Sequence, residues 1–171
     1  ESDLRHAIET RTGLELYVQP QLNENRTVIG AEALIRWHHS ERGMVSPAEF
    51  IPLAEETGLI IGLGDLINEQ ACQIIRQWQQ LGLNDWVLSI NVSAPQFQQL
   101  DFVDKLNSLL KHYEVPAGQL KLELTESVLM QNLDEVIHKI NELKQLGIQF
   151  ALDDFGTVYS SLSYLMKLPF D

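Results

Sequence analysis

The sequence is short of cysteine and of positive charge. It has one cysteine, Cys72, and 12 lysines and arginines against 24 aspartates and glutamates, which gives a net charge of −12. A single cysteine excludes a disulfide framework and is typical of a cytoplasmic protein. The negative field repels nucleic-acid polymers, and no basic stripe opposes it, so we expect no DNA or RNA partner. A small phosphorylated ligand remains compatible with this charge if a metal ion supplies positive charge.

Long apolar runs are absent as well. No stretch approaches the ~20 apolar residues of a membrane span and no signal-peptide pattern is present, so we expect no transmembrane segment in this chain. Hydrophobic residues make up 44% of the 171 residues, which suits one domain with a substantial core. The chain starts at Glu1 without a methionine, in a charged stretch of helical character. We therefore expect residues 1–171 to be part of a longer protein, whose other parts could anchor it to a membrane.

Apolar periodicity predicts alternating strands and helices. The first two strands are joined by the short polar turn 23–27, which leaves no room for a helical crossover, so they should be antiparallel. The later strands alternate with helices, which indicates a parallel α/β sheet. Strands are predicted at 14–19, from 28, and at 86–92, 120–125 and 148–153. Helices are predicted from a capping box at 46–49 to Gly58, over 63–81, from a cap at Asp101, over 133–146 and over 161–168.

The predicted parallel strands separate large aliphatic residues from small or polar ones. In the strand over 86–92 the second group is Val87, Ser89 and Asn91. A doubly wound sheet is apolar on both faces and would not show this separation. A (β/α)8 barrel would show it, because its strands turn one face to outer helices and the other to an interior that opens at the strand C-terminal ends. We therefore predict an α/β barrel of which about five strands lie in this chain.

Oxygen-bearing side chains end four separate strand-like runs. They are Glu32, Asn91, Glu123 and the pair Asp153-Asp154. Burying a carboxylate or an amide is costly unless something pairs with it. Repetition of one position across several strands therefore predicts convergence on a hard cation such as Mg²⁺ or Mn²⁺. Taken one at a time, each of these residues could also be a strand-end cap or a turn former.

Longer motifs run in order along nearly the whole chain. They comprise Tyr17-Val18-Gln19-Pro20, Glu32-Ala33-Leu34-Ile35-Arg36-Trp37, the segment 50–56, Asn91-Val92-Ser93, Glu123-Leu124-Thr125-Glu126-Ser127, Asp153-Asp154-Phe155-Gly156-Thr157, and the segments 159–162 and 168–171. This series of motifs resembles the EAL domain family of bacterial cyclic di-GMP phosphodiesterases. The resemblance implies a modified (β/α)8 TIM-type barrel with an antiparallel first strand. It also implies hydrolysis of one phosphodiester bond of cyclic di-GMP, to linear pGpG, in second-messenger signalling.

The resemblance also implies a two-metal site. One Mg²⁺ or Mn²⁺ would be held by Glu32, Asn91, Glu123 and Asp153, and Asp154 would serve the second metal. The family is inhibited by Ca²⁺, whose longer bonds and looser geometry could misplace the nucleophile.

Further roles follow from the same resemblance. The residues implied in catalysis are Glu32, Glu126 and Asp154, with Glu126 bracing the loop that begins at the aspartate pair. The implied substrate contacts are Gln19, Leu34 and Arg36, and the Arg36 guanidinium would offer a forked donor to a phosphate oxygen.

The sequence departs from the family pattern in two places. Val158 stands where the family has a glycine, and a glycine adopts positive φ more cheaply than a β-branched residue. The family's catalytic lysine and its late glutamate and glutamine would follow Asp171. We therefore expect residues 1–171 to be the N-terminal and central part of an EAL domain, with the last strands missing. The parent protein can still be a hydrolase, but this polypeptide alone should have little or no turnover.

Two alternatives to the enzyme remain open. One is a degenerate EAL module that binds cyclic di-GMP as a sensor, and the other is a scaffold or dimerisation unit. Many family members are homodimers and carry a GGDEF or sensory domain beside the EAL domain. Among the remaining polar residues, His38 and His39 are interpreted as solvated residues of a polar loop. The pair Glu55-Glu56 is interpreted as structural, with a role near the site left open.

Overall fold

A six-stranded sheet forms the framework of the protein. In this computed structural model, residues 1–130 and 132–153 are described, the last of them by its backbone alone. The strands are β1 (Leu14–Leu22), β2 (Val28–His39), β3 (Gly43–Val45), β4 (Val87–Val92), β5 (Leu120–Thr125) and β6 (Gln149–Asp153). The helices are α1 (Ser2–Thr10), α2 (Pro47–Thr57), α3 (Ile60–Gln80), α4 (Ala94–Phe97), α5 (Phe102–His112), α6 (Glu126–Leu129) and α7 (Leu133–Gln145), with a 3₁₀ turn over Ala117–Gln119.

The strand order is β1-β2-β4-β5-β6, with β3 paired to β2 on the side of this path. β1 and β3 are antiparallel to β2, and β4, β5 and β6 run parallel to it. The predicted antiparallel first pair and the parallel remainder are therefore confirmed. The sequence prediction missed β3 because three residues are too few for an alternating pattern.

Some predicted boundaries and caps differ from the structure. Ser46 accepts a hydrogen bond from the Ala48 N–H at 3.3 Å, but Glu49 contributes no second half of a capping box because its carboxylate accepts from Arg42 at 2.7 Å. Asp101 occupies the N-cap position of α5, yet its side chain makes no capping hydrogen bond. The helix predicted over 161–168 lies outside the described residues.

The two faces of the parallel strands differ as predicted. The aliphatic face is buried under the helices, and its residues are Leu88, Ile90, Val92, Leu120, Leu122 and Leu124. This core includes Cys72, which has no exposed surface. A second core cluster lies between β1, β2, α1, α2 and the start of α3. The opposite face of the sheet carries Asn91, which is exposed, and Glu123, which is half-buried.

Gln70 of α3 covers part of the outer edge of β1. Its Nε2 donates to Leu14 O at 2.9 Å, and its Oε1 accepts from Leu16 N at 2.9 Å, so one side-chain amide imitates the peptide group of a neighbouring strand. In an antiparallel pair the backbone groups of alternate residues point away from the partner strand. Pro20 has the same parity as Leu16, so its missing N–H also falls on this outer edge, and β1 continues past the predicted end to Leu22.

No helix in the described part of the chain is both long and apolar enough to cross a membrane.

Candidate functional site

The register of the parallel strands brings three predicted ligand residues to one level. Glu32 on β2 lies opposite Ser89 on β4, and the next residue of β4 on the same face is Asn91. Asn91 lies opposite Glu123 on β5. The step of two residues has a physical cause, because barrel strands tilt and are staggered by roughly one residue per strand. Since alternate residues face the interior, this stagger occurs in steps of zero or two.

A second step of this kind leads to Asp153. Glu123 lies opposite Ala151 on β6, and Asp153 follows two residues later, opposite Thr125. The backbone therefore places Asp153 at the register position that the predicted metal site requires. Its partner Asp154 lies outside the described residues. We call Glu32, Asn91 and Glu123 the oxygen layer.

A direct contact joins two members of the oxygen layer. Asn91 Nδ2 donates to Glu32 Oε1 at 3.3 Å, which joins side chains 59 residues apart in sequence. The amide nitrogen faces the carboxylate in this arrangement. An asparagine binds a cation through its oxygen, so binding would require the amide to turn over.

Two carboxylates and an amide suit a hard divalent cation. The donors are oxygens, which Mg²⁺ and Mn²⁺ prefer, and they come from three separate strands of a rigid sheet. Below the layer lies Ser89, whose Oγ is buried and has no hydrogen-bond partner within the described part of the chain. The donor set fits the metal that the sequence predicts. The layer provides two carboxylates and an amide, and the described side chains include no cluster of three or more histidine, cysteine, aspartate or glutamate residues that could hold a metal.

Glu126 occupies the first position of α6, immediately after β5. Its side chain is buried, with 5% of its surface exposed. The buried position agrees with a bracing role more closely than with direct contact to solvent or substrate. The loop that it would brace lies outside the described residues, as does Val158, so this role stays a prediction.

The predicted substrate contacts lie on the same face as the oxygen layer. Gln19 is paired with Glu32 across the antiparallel strands, and its side chain is exposed. Leu34 and Arg36 follow Glu32 at intervals of two and are half-buried. The Arg36 guanidinium lies 5.9 Å from the centre of the Tyr17 ring, and its Nη1 donates to Ile35 O at 3.1 Å.

A cavity of about 270 Å³ opens beside these residues. Its wall is formed by β2, β4 and the helices α2 and α3, and it includes Leu34, Arg36 and Asn91 together with Glu55 and Gln96. Glu55, interpreted from the sequence as structural with a role near the site left open, thus borders this cavity. A carboxylate on an amphipathic helix gives no sign of which cavity it borders, and the one sequence signal was that the motif segment 50–56 includes it.

The interpretation of His38 and His39 as loop residues is wrong, because both lie in β2, but His38 is exposed to solvent as expected. His38 Nε2 lies 3.0 Å from the hydroxyl of Tyr17. His39 is more enclosed, with 9% of its side chain exposed, and its Nε2 lies 3.1 Å from Asp3 on α1. This hydrogen bond to His39 lowers the pKa of Asp3. The long β2 reaches further than the apolar pattern indicated because β3 pairs with its last residues.

Comparison with known proteins places these observations in a family. A family model of the EAL domain matches residues 1–171. The chain is 42% identical over 168 residues to "Bifunctional diguanylate cyclase/cyclic di-GMP phosphodiesterase MucR" of Pseudomonas aeruginosa, covering 98% of this chain and 24% of that protein. It is 39% identical over 169 residues to "Cyclic di-GMP phosphodiesterase PA2567" of the same species, covering 98% of this chain and 29% of that protein. The chain therefore spans about a quarter of the length of these curated relatives.

A solved structure shows the same fold. The protein described as "PaMucR Phosphodiesterase, c-di-GMP complex" superimposes with a TM-score of 0.92 and 41% sequence identity, over 99% of this chain and 68% of that one. EAL domains have a modified TIM barrel, so the predicted fold class is confirmed. The match over all 171 residues, the shared fold and the position of the oxygen layer lead to one conclusion: the chain belongs to the EAL domain family.

Proposed function

We propose that the protein is a metal-dependent phosphodiesterase that hydrolyses cyclic di-GMP to linear pGpG. The observation that carries this proposal is the oxygen layer, in which three strands bring Glu32, Asn91 and Glu123 to one level at the end of the sheet where barrel enzymes place their chemistry. The names of the curated relatives support the choice of substrate. Residues 1–171 would form the N-terminal and central part of the domain.

The reaction sets a clear electrostatic problem. A phosphodiester is anionic, and the chain itself has a net charge of −12, so the substrate needs local positive charge. Two Mg²⁺ or Mn²⁺ ions, when bound, would supply this positive charge for the phosphoryl oxygens, the attacking water and the leaving oxygen. The oxygen layer and Asp153 would hold one ion and Asp154 would contribute to the other. By holding these ions, the side chains would make a site that otherwise repels the anionic substrate attract it.

Arg36 would bind the substrate phosphate directly. Its guanidinium is half-buried on the inward face, two and four residues from Leu34 and Glu32. In the described structure its Nη1 hydrogen bond goes to a backbone carbonyl, which leaves further N–H groups of the fork for a phosphate. Gln19, opposite Glu32, could add a polar contact from the other strand.

The neighbouring cavity would hold one guanine base of the substrate. Its lining is largely apolar, with Leu34, Ile51 and Ile67 available for contact with the base. The Glu55 carboxylate at its border could accept from the two N–H donors on the Watson–Crick edge of guanine. Adenine has an acceptor at one of these positions, so this arrangement would favour guanine.

Hydrolysis of cyclic di-GMP by the purified protein tests the proposal. We expect turnover with Mg²⁺ or Mn²⁺, none with Ca²⁺, and a loss of at least about 100-fold in Glu32→Gln and Glu123→Gln, because each removes a ligand charge. The matched control is Glu142→Gln on α7, where an exposed glutamate pairs with His138 at 3.2 Å far from the layer. The assay should use the protein with the residues that follow Asp171, since we expect little or no turnover from residues 1–171 alone.

The same assay separates the alternatives. Binding of cyclic di-GMP without hydrolysis under all metal conditions would replace the enzyme with a sensor, which the valine at position 158 favours. Failure to bind both nucleotide and Mn²⁺ would leave a scaffold or dimerisation unit.

A further inference from the structure

The turn that follows Asn91 is held by side-chain hydrogen bonds. β4 ends at Val92, and Ser93 caps the short helix α4. The Gln96 Oε1 accepts from Ser93 N at 3.2 Å and from Ser93 Oγ at 3.0 Å, and Gln96 N–H donates back to Ser93 Oγ at 3.4 Å. This closed capping box fixes the backbone two residues after Asn91.

Gln96 is itself fixed against α3. Its side chain is buried, with 6% exposed, and it lies over Gly64. A Cβ at Gly64 would come within 1.7 Å of Gln96 Nε2 and 2.2 Å of Gln96 Cδ. The glycine therefore provides the space that the amide fills, and the two helices approach one another at this point.

The other end of α4 is fixed by α7. Lys139 is buried, with 7% exposed, and its Nζ donates to Phe97 O at 2.7 Å and to Gln99 O at 3.0 Å. Phe97 is the last residue of α4 and Gln99 follows its C-cap, so Lys139 binds one carbonyl at the end of the helix and one just beyond it. α4 is thus held at its start by α3 and at its end by α7.

We propose that Gln96 is a positioning residue that sets the place of Asn91 in the oxygen layer and thereby the affinity of the site for a divalent cation. Gln96 touches neither the cation nor the substrate phosphate in this scheme, and acts through Ser93 and the end of β4. The inference rests on the proposed metal-binding function. It goes beyond that function because it assigns a role to a residue outside the ligand set.

The central test is Gln96→Met, which keeps the side-chain length and removes both acceptor bonds. Groups that orient metal ligands typically change metal affinity by about 10- to 100-fold, and we expect a loss of this size in the Mn²⁺ dissociation constant measured by calorimetry. Gln96→Glu keeps an oxygen acceptor for Ser93 and should recover most of the affinity. In an Asn91→Ala background, Gln96→Met should cause no additional loss, because the residue through which it acts is gone.

Gln119, in the 3₁₀ turn over Ala117–Gln119, provides a matched control at the other end of β4. It is also buried, with 4% exposed, and its Nε2 donates to Leu83 O at 3.0 Å and to Trp86 O at 2.9 Å, just before the other end of β4. Gln119→Met should lower the melting temperature as Gln96→Met does and leave the Mn²⁺ affinity unchanged. This contrast separates positioning from general loss of stability.

Three results bear on the inference in different ways. Unchanged Mn²⁺ affinity in Gln96→Met, with weak binding in Asn91→Ala, would overturn the positioning role while the proposed function stands. Absence of Mn²⁺ binding by the unaltered protein would overturn the proposed function itself.

If Gln96→Met does not fold, Ser93→Ala removes two of the three bonds and should still shift the side-chain amide resonance of Asn91 and weaken Mn²⁺ binding. No change in either measurement would contradict the role.

Discussion

Glu69 and Cys72 lie three residues apart on α3, and the neighbours of each determine its proton affinity. Burial raises the pKa of Glu69, but the hydrogen bond from Tyr113 Oη at 2.9 Å and the contact with Arg11 outweigh it, so the pKa is lowered. For Cys72, burial and then the charge of Glu69 raise the pKa of the thiol to about 11. One carboxylate is therefore kept charged, and it helps to keep the nearby thiol neutral.

The lowered pKa of Glu69 predicts a pH-dependent contribution to stability. A depressed carboxyl pKa stabilises the folded state above the unfolded value, and the contribution is lost as pH falls through the folded value. Glu69→Gln should therefore lower the free energy of unfolding by about 1 kcal/mol at pH 7, and by less as the pH falls below about 4. Urea unfolding across this range measures the difference. Glu9→Gln, an exposed position on α1, is the control, and an equal loss at all pH values in Glu69→Gln would contradict the prediction.

The raised pKa of Cys72 predicts an unreactive thiol. At pH 8 a thiol with a pKa of about 11 has a thiolate fraction near 1 in 1,000, against roughly 1 in 4 for an unperturbed cysteine. Alkylation by iodoacetamide should be at least about 100-fold slower in the folded protein than in urea, because burial also blocks access. Mass spectrometry of timed samples measures the rate. Similar rates in both states would show that the thiol is exposed or that its pKa is ordinary.

Residue types were informative where burial of a polar group implies a cost. A carboxylate or amide in an apolar strand implies a partner, and the contact of Asn91 with Glu32 confirms that these two side chains meet. Glu55, His38 and Gln96 carry no such cost in sequence, because a polar residue on a helix or strand end is equally compatible with solvent. Their positions follow from tertiary packing, which the sequence pattern does not contain.

At the scale of elements, the pairing of β2 with β4 depends on a close approach at Gly30. A Cβ at this position would lie 2.0 Å from Val87 O and 2.9 Å from Val87 N, both backbone atoms that cannot move aside. Glu32 follows two residues later, opposite Ser89. The absence of a side chain at Gly30 therefore allows the strand pairing that places the first member of the oxygen layer.

Gly30→Ala should destabilise the protein severely. We expect a loss of about 3 kcal/mol or more in the free energy of unfolding, because the new methyl group meets backbone in the middle of a sheet. Gly118→Ala is the matched control, since the nearest atom to a Cβ there is 4.0 Å away. Urea unfolding of both variants provides the comparison. Equal stability of the two would show that β2 and β4 separate more easily than the structure indicates.

Long elements could be predicted from the sequence and short ones could not. The strands β4, β5 and β6 and the helices α3 and α7 lie within a few residues of their predicted bounds, because their apolar patterns repeat several times. The short elements α4, α6 and β3 were missed, since four residues or fewer contain no full repeat. The stagger between neighbouring strands could not be predicted from the sequence either. It depends on strand tilt, a property of the whole sheet.

At the scale of the whole molecule, the net charge of −12 opposes the approach of an anionic ligand. The proposed substrate carries two phosphodiester charges. Without divalent cations, like charges repel over distances comparable to the Debye length, about 10 Å at 0.1 M salt. The described basic residue on the face of the oxygen layer that could oppose this field is Arg36, together with Lys121 deeper in the sheet.

This charge predicts an unusual salt dependence. In EDTA, the association rate of cyclic di-GMP should rise with NaCl concentration, because salt screens repulsion rather than attraction. With saturating Mg²⁺ the rate should be higher and less sensitive to NaCl. Stopped-flow fluorescence with a labelled nucleotide measures both. A rate that falls with NaCl in EDTA would mean that Arg36 and its neighbours govern the encounter instead of the net charge.

The outer edge of β1 restricts the register in which a further strand can pair with it. Gln70 occupies Leu14 O and Leu16 N, and Pro20 has no N–H to give, so the outward groups between Leu16 N and the Pro20 nitrogen are Leu16 O, Val18 N and Val18 O. A strand that pairs with this edge would find no free hydrogen-bonding group at either end of this interval. A shift of its register by two residues would therefore lose hydrogen bonds. One glutamine and one proline thus determine the register of any strand added to this edge through backbone hydrogen bonding, independently of the side chains of that strand.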